Sequence, residues 1–175
     1  MTERTGITSI KGNPLTLLGE EIKVGQKAPN FKVRTGLAPN TEITLDSSKG
    51  KVRVFNVVPS LDTGVCEAQT IRFNEEAVKL GDGVEIMTVS MDLPPAQGRF
   101  CGHQLKGAAK IKMASDYAEK SFAMNYGILL KEWQVCGRGV FVVDKNDTVK
   151  YVQYCPKIEE QPDFDKALQA IKSLL

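Results

Sequence analysis

The stretch from Val52 to Ser90 constrains the fold most, because its hydrophobic pattern changes period twice. Val52, Val54, Phe55 and Val57 form a nearly continuous apolar run, the pattern of a buried strand. From Cys66 to Leu80 the period becomes helical: Phe73, Ala77 and Leu80 share one stripe, with Cys66 two turns ahead of Phe73. Gly81-Asp82-Gly83 then turns the chain into a second apolar strand, Val84–Ser90. Strand, helix and strand in this order predict two parallel strands joined by a right-handed crossover.

The junction between the first strand and its helix holds a thiol. Pro59 ends the strand, and either Asp62 or Thr63 suits the helix N-cap. With Thr63 as the cap, Cys66 is the third helical residue, inside the first turn. Unpaired backbone N–H groups and the positive end of the helix dipole there favour a thiolate over a thiol. Such a sulfur would be half sheltered and nucleophilic. On position alone, Cys66 equally suits a small apolar packing role.

Elsewhere the elements are shorter. Residues 6–18 read as a hairpin around Gly12-Asn13-Pro14, Val24–Phe31 breaks regular structure, and Glu42–Leu45 suits a short strand. Asp92-Leu93-Pro94-Pro95 reads as a loop, followed by a helix that carries Cys101. Ile111–Ala114 suits a strand and Tyr117–Met124 a helix. Val140–Val143 and Val149–Tyr154 flank the turn Asp144-Lys145-Asn146-Asp147, whose two Asp residues read as turn formers. A last helix opens near Pro162-Asp163. The pattern implies an α/β fold: a central mixed sheet flanked by helices, thioredoxin-like in its order, with an N-terminal β-hairpin.

At 175 residues, one domain spanning 1–175 is expected, with a core that needs no staples. The net charge of +2 is dispersed and argues for no nucleic-acid partner. No run approaches a membrane span, and the polar start Met1-Thr2-Glu3-Arg4-Thr5-Gly6 is unlike a signal peptide, so a cytoplasmic location is expected. Four cysteines in such a chain suit catalysis, burial or metal binding rather than a disulfide scaffold.

The string Pro59-Ser60-Leu61-Asp62-Thr63-Gly64-Val65-Cys66 resembles the Pro-x-x-x-Thr-x-x-Cys signature of the peroxiredoxins, and its context resembles their bacterial thiol peroxidase subfamily. Ser90 to Cys101 is similar to that subfamily's resolving-cysteine segment, Arg138 to Asp144 to its active-site arginine strand, and Gly6 to Phe31 to its N-terminal addition. Two places depart from the pattern: Pro95 stands for an aromatic residue, and Cys136-Gly137 for small aliphatic ones.

The resemblance implies a peroxidase in which Cys66 attacks the peroxide and becomes a sulfenic acid. Thr63, one turn earlier, would reach the sulfur or the substrate, Pro59 would shield the site, and Arg138 would supply positive charge. Arg72 and Arg99 are rival cations outside the motif. Cys101 is implied as the resolving thiol, giving an intramolecular disulfide that thioredoxin reduces, and a homodimer is implied. Bridging two helices calls for local unwinding near Pro94-Pro95 and Gly98. Cys136 and Cys155 read as structural thiols, and Glu67, Glu75 and Glu76 as a solvated helix face. No cofactor is expected, and the missing Cys-x-x-Cys and paired ligand spacings argue against zinc at His103. A redox-sensing relay protein that uses the same cysteine pair is the alternative, and a zinc-held structural module the third reading.

Overall fold

The computed structural model describes residues 2–175; Met1, the first residue of the polar start, lies outside them. Two strands come first, β1 (Glu3–Ile10) and β2 (Asn13–Leu18), then β3 (Lys32–Arg34), β4 (Glu42–Thr44) and a 3-10 turn at Leu45–Ser48. The centre of the chain gives β5 (Val52–Val57), α1 (Gly64–Leu80), β6 (Val84–Ser90), α2 (Pro94–His103) and β7 (Lys112–Ser115). The remainder is α3 (Ser121–Asn125), β8 (Leu129–Leu130), β9 (Gly139–Val143), β10 (Val149–Tyr154) and α4 (Phe164–Lys172). No helix among the described residues is long and apolar enough to cross a membrane.

Seven strands build one mixed sheet in the order β10-β9-β5-β6-β7-β3-β4, and β1-β2-β8 form a small second sheet. The expected β5-α1-β6 unit is present, with Val52 opposite Val84 through to Val57 opposite Val89 in parallel register. Strand β5 lies inside the sheet and is covered on both faces, which explains its nearly continuous apolar run. On one face Val54, Ile86 and Val142 meet Phe73 of α1, Phe100 of α2 and Ile171 of α4. On the other, Phe55, Met87 and Phe141 meet Phe31, Phe122 and Tyr126. There the Phe122 and Tyr126 rings stack 4.1 Å apart beside α3. This is the thioredoxin-like α/β arrangement that the sequence implied.

Four local expectations change. The hairpin turns at Lys11-Gly12, both with positive φ (46° and 81°), while Pro14 already sits in β2 opposite Ser9. A two-residue left-handed turn suits the twist of antiparallel strands, whereas Pro cannot serve such a turn. Pro94 and Pro95 are not a loop: they occupy the first two positions of α2, where a missing N–H costs no helical bond. Helix α3 begins only at Ser121, because Lys120 takes the left-handed region (φ 52°) and the Asp116 carboxylate accepts from the Phe122 and Ala123 amides. Asp147 does more than turn the chain, since it is the ion-pair partner of Arg53, a guanidinium buried in β5.

Candidate active site

Cys66 lies at the carboxyl end of β5, in the first turn of α1, where open α/β sheets place their ligands. Thr63 is the N-cap residue, as expected, but its hydroxyl caps no amide. It lies 2.8 Å from Cys66 Sγ and 3.1 Å from the Ser60 carbonyl oxygen. A hydroxyl has one proton and two acceptor lone pairs. When the sulfur carries a proton, Thr63 can accept from it and donate to Ser60; when the sulfur is anionic, Thr63 can turn and donate to it.

Sheet register supplies the cation. Strand β9 runs antiparallel beside β5 with Gly139 opposite Val57, so Arg138 stands level with the residues that follow β5. A slip of one residue would send its side chain to the other face. Each guanidinium nitrogen has its own acceptor: Nε donates to the Ile158 carbonyl at 2.7 Å, one terminal nitrogen to Gln69 Oε1 at 2.5 Å, and the other to Cys66 Sγ at 3.2 Å. Three of its five N–H groups are thereby used and two remain.

Arg138 is only 3% exposed, yet no carboxylate forms a salt bridge with it among the described residues. A buried cation without a counter-charge costs several kcal/mol. Among the described residues, Cys66 is the one thiol that accepts a hydrogen bond from this guanidinium.

Cys66 itself is fully buried, not half sheltered, and belongs to the helix-side core together with Val58, Leu61, Phe100 and Val140. Pro59 is buried two residues beyond the end of β5. The loop over the sulfur is tied down by Asp92, whose carboxylate accepts from the Ser60 hydroxyl and from the Leu61 amide, each at 2.8 Å. Asp92 immediately precedes Leu93, the N-cap residue of α2, so one side chain joins the Cys66 loop to the helix of Cys101. Sequence reading assigned no role to Asp92, since an Asp before Leu-Pro-Pro looks like any loop residue.

The rival cations stand outside this cluster. Arg72 pairs with Glu76 at 3.1 Å, and Arg99 bridges to Asp62 at 2.9 Å across the mouth between α1 and α2. Glu76 is buried rather than solvated and is held also by Lys79; Glu67 is half-buried, and only Glu75 is exposed as expected. A cavity of about 270 Å³ is lined by Leu61, Asp62, Glu67, Arg99, Phe100 and His103.

The other three thiols lie in less favourable surroundings. Cys101, half-buried on α2, is unpaired, and burial pushes its thiol up. Cys136 is buried in the core on the opposite sheet face, where burial and then the charges of Asp116 and Asp92 push it well up. Burial raises the Cys155 thiol to about 12, although the charge of Arg138 opposes this. None of the three has the donor pair that Cys66 has.

Two further residues complete the cluster without having been found from sequence. Gln69 and Asn56 are fully buried and continue the hydrogen bonds inward from Arg138. Gln69 lies one turn beyond Cys66 on α1, and Asn56 is the one uncharged polar residue of β5. That interruption of an apolar strand was the available signal.

Known proteins are similar to this chain over nearly its whole length. The redoxin family model matches residues 23–170. A thiol peroxidase of Halalkalibacterium halodurans is 52% identical over 95% of this chain and 98% of its own length. The thiol peroxidase of Bacillus subtilis is 46% identical over 95% and 97%. Among solved structures, a peroxiredoxin-like protein from Aquifex aeolicus superposes with a TM-score of 0.87 at 39% identity, covering 98% of both chains.

Proposed function

Because the chain belongs to the redoxin family, among its thiol peroxidases, we propose that Cys66 is its peroxidatic cysteine and Cys101 its resolving one. The substrates are hydrogen peroxide and organic hydroperoxides, the role is antioxidant defence, and the reductant is thioredoxin. The observation that carries this reading is the buried guanidinium of Arg138, which has no carboxylate salt bridge among the described residues and donates to a sulfur at a helix N-terminus.

The steps follow from the donors. The Cys66 thiolate attacks one peroxide oxygen in line with the O–O bond, which breaks and leaves its electron pair on the departing oxygen. The Thr63 hydroxyl and the two free N–H groups of Arg138 can donate to the peroxide as charge moves onto it. The departing oxygen takes a proton and leaves as water or alcohol, and the sulfur becomes a sulfenic acid, with Pro59 limiting water at the site. The Cys101 thiol then displaces hydroxide from that sulfur, which leaves as water, and a Cys66–Cys101 disulfide forms. Thioredoxin's dithiol reduces this by exchange, regenerating both thiols.

In this reading one or both helices unwind locally for the resolving step, with α2 the one that opens most readily. Its first turn has no side-chain cap, and Gly98 and Gly102 lie within it. Opening also returns the Cys101 sulfur to water, which relieves the burial that keeps it protonated. A homodimer is the assembly that fits this reading.

Replacement of each thiol tests it. Cys66→Ser abolishes peroxide consumption, and Cys101→Ser consumes one equivalent but does not recycle with thioredoxin. Full turnover by the Cys66 variant ends the reading, while trapped mixed disulfides without turnover favour a redox relay.

A further inference from the structure

The grip of Arg138 on Cys66 depends on which end of the Gln69 amide faces it. Arg138 can only donate, so it needs Oε1; with the amide reversed, two donors would face each other. Nothing in Gln69 itself fixes that choice. Its Nε2 donates to Asn56 Oδ1 at 2.5 Å and lies 3.5 Å from the Val57 carbonyl. Asn56 has the same ambiguity, and its Nδ2 donates to Thr88 Oγ1 at 2.9 Å, with Thr70 Oγ1 at 3.4 Å. Asn56, Gln69, Thr70 and Thr88 are all 0% exposed. The polarity of this chain of bonds therefore runs one way, from Arg138 inward to a hydroxyl on β6.

We propose that Asn56, anchored by Thr88, is a positioning residue that locks the Gln69 amide and so aims the Arg138 guanidinium at Cys66. This rests on the reading of Cys66 given above. Burying an amide in the middle of an apolar strand costs stability unless every group is paired, and an apolar residue of similar volume would be less demanding there. The chain ties the cation to β5 and β6, adjacent inner strands of the sheet.

A double-mutant cycle on the first oxidation step tests the proposal. The unsubstituted protein, Asn56→Leu, Thr88→Val, Gln69→Met and the Asn56→Leu/Gln69→Met pair are mixed with hydrogen peroxide. Each sample is quenched at intervals, and Cys66 oxidation and its capture by Cys101 are followed by mass spectrometry. Loss of an aligned buried hydrogen bond predicts that Asn56→Leu slows Cys66 oxidation about tenfold and Thr88→Val about threefold. With Gln69 already Met, Asn56→Leu should cost less than about twofold, because it acts through Gln69. Capture by Cys101 should stay within about twofold throughout, a pattern that general loosening of the fold would not give.

The proposal is overturned if Asn56→Leu oxidises as fast as the unsubstituted protein, or if its effect is the same in both backgrounds. Should Asn56→Leu fail to fold by circular dichroism, Thr88→Val decides, since it keeps the shape of the site: an unchanged oxidation rate overturns the proposal. Failure of the unsubstituted protein to oxidise at Cys66 sinks the reading of the site and this inference together. Oxidation there with insensitive variants sinks this inference alone.

Discussion

Arg138→Met removes the cation while keeping much of its length, and the structure sets the size of the effect. At 3.2 Å from the sulfur, a unit charge in surroundings of effective dielectric near 20 interacts with a thiolate by about 5 kcal/mol. Part of that is kept in the ground state as well as the transition state, and only the difference affects the rate. A charge-assisted hydrogen bond is worth about 1.5–3 kcal/mol net. The expected loss is therefore roughly 2–4 kcal/mol, or about 30- to 1000-fold in the second-order rate of Cys66 oxidation.

Arg138→Lys keeps the charge but cannot reach Ile158, Gln69 and Cys66 together, and should lose about tenfold. Rapid-quench mass spectrometry with hydrogen peroxide measures both. A methionine variant that is folded and within threefold of the unsubstituted rate would refute the assignment of Arg138, and with it the argument from a buried cation.

Other expectations follow from named contacts. Thr63→Val deletes the hydroxyl 2.8 Å from Sγ and should slow Cys66 oxidation about tenfold, whereas Thr63→Ser should keep most of the rate, as peroxide-loss assays will read. Burial raises Asp116 to about 6 against the opposing amide bonds from Ala123 and Phe122. A carboxyl raised on folding holds its proton more tightly in the native state, so stability falls as the pH rises from about 4 to about 6. The fall is about 3 kcal/mol and levels off above that range. Urea unfolding across that window should show this slope, and Asp116→Asn should flatten it.

The β5-α1-β6 unit was legible because its burial pattern is carried by local periodicity, and Cys66, Thr63 and Arg138 because they stand in motif positions. What the sequence hid depends on pairing across the sheet. The register of Gly139 opposite Val57 brings Arg138 to the sulfur, and no local pattern announces it. Pro94 and Pro95 misled because proline breaks a helix interior but suits its first turn. Glu76 misled because its helical position faces α1's own Arg72 and Lys79, which neutralise it where periodicity suggested water. The burial of Cys66 went unseen because it depends on tertiary packing: the residue joins the same core as Val58 and Leu61, and Asp92, distant in sequence, holds the loop between them.

Which thiols react is the most direct test of the role of Cys66. Cys155 is the sharpest rival, since its amide donates to the Arg138 carbonyl at 2.9 Å and it lies beside the same cation. One equivalent of hydrogen peroxide added to the fully reduced protein, followed by alkylation and peptide mass mapping, should give a single intramolecular link between Cys66 and Cys101. A link from Cys66 to Cys155, or oxidation that leaves Cys66 free to alkylate, contradicts it.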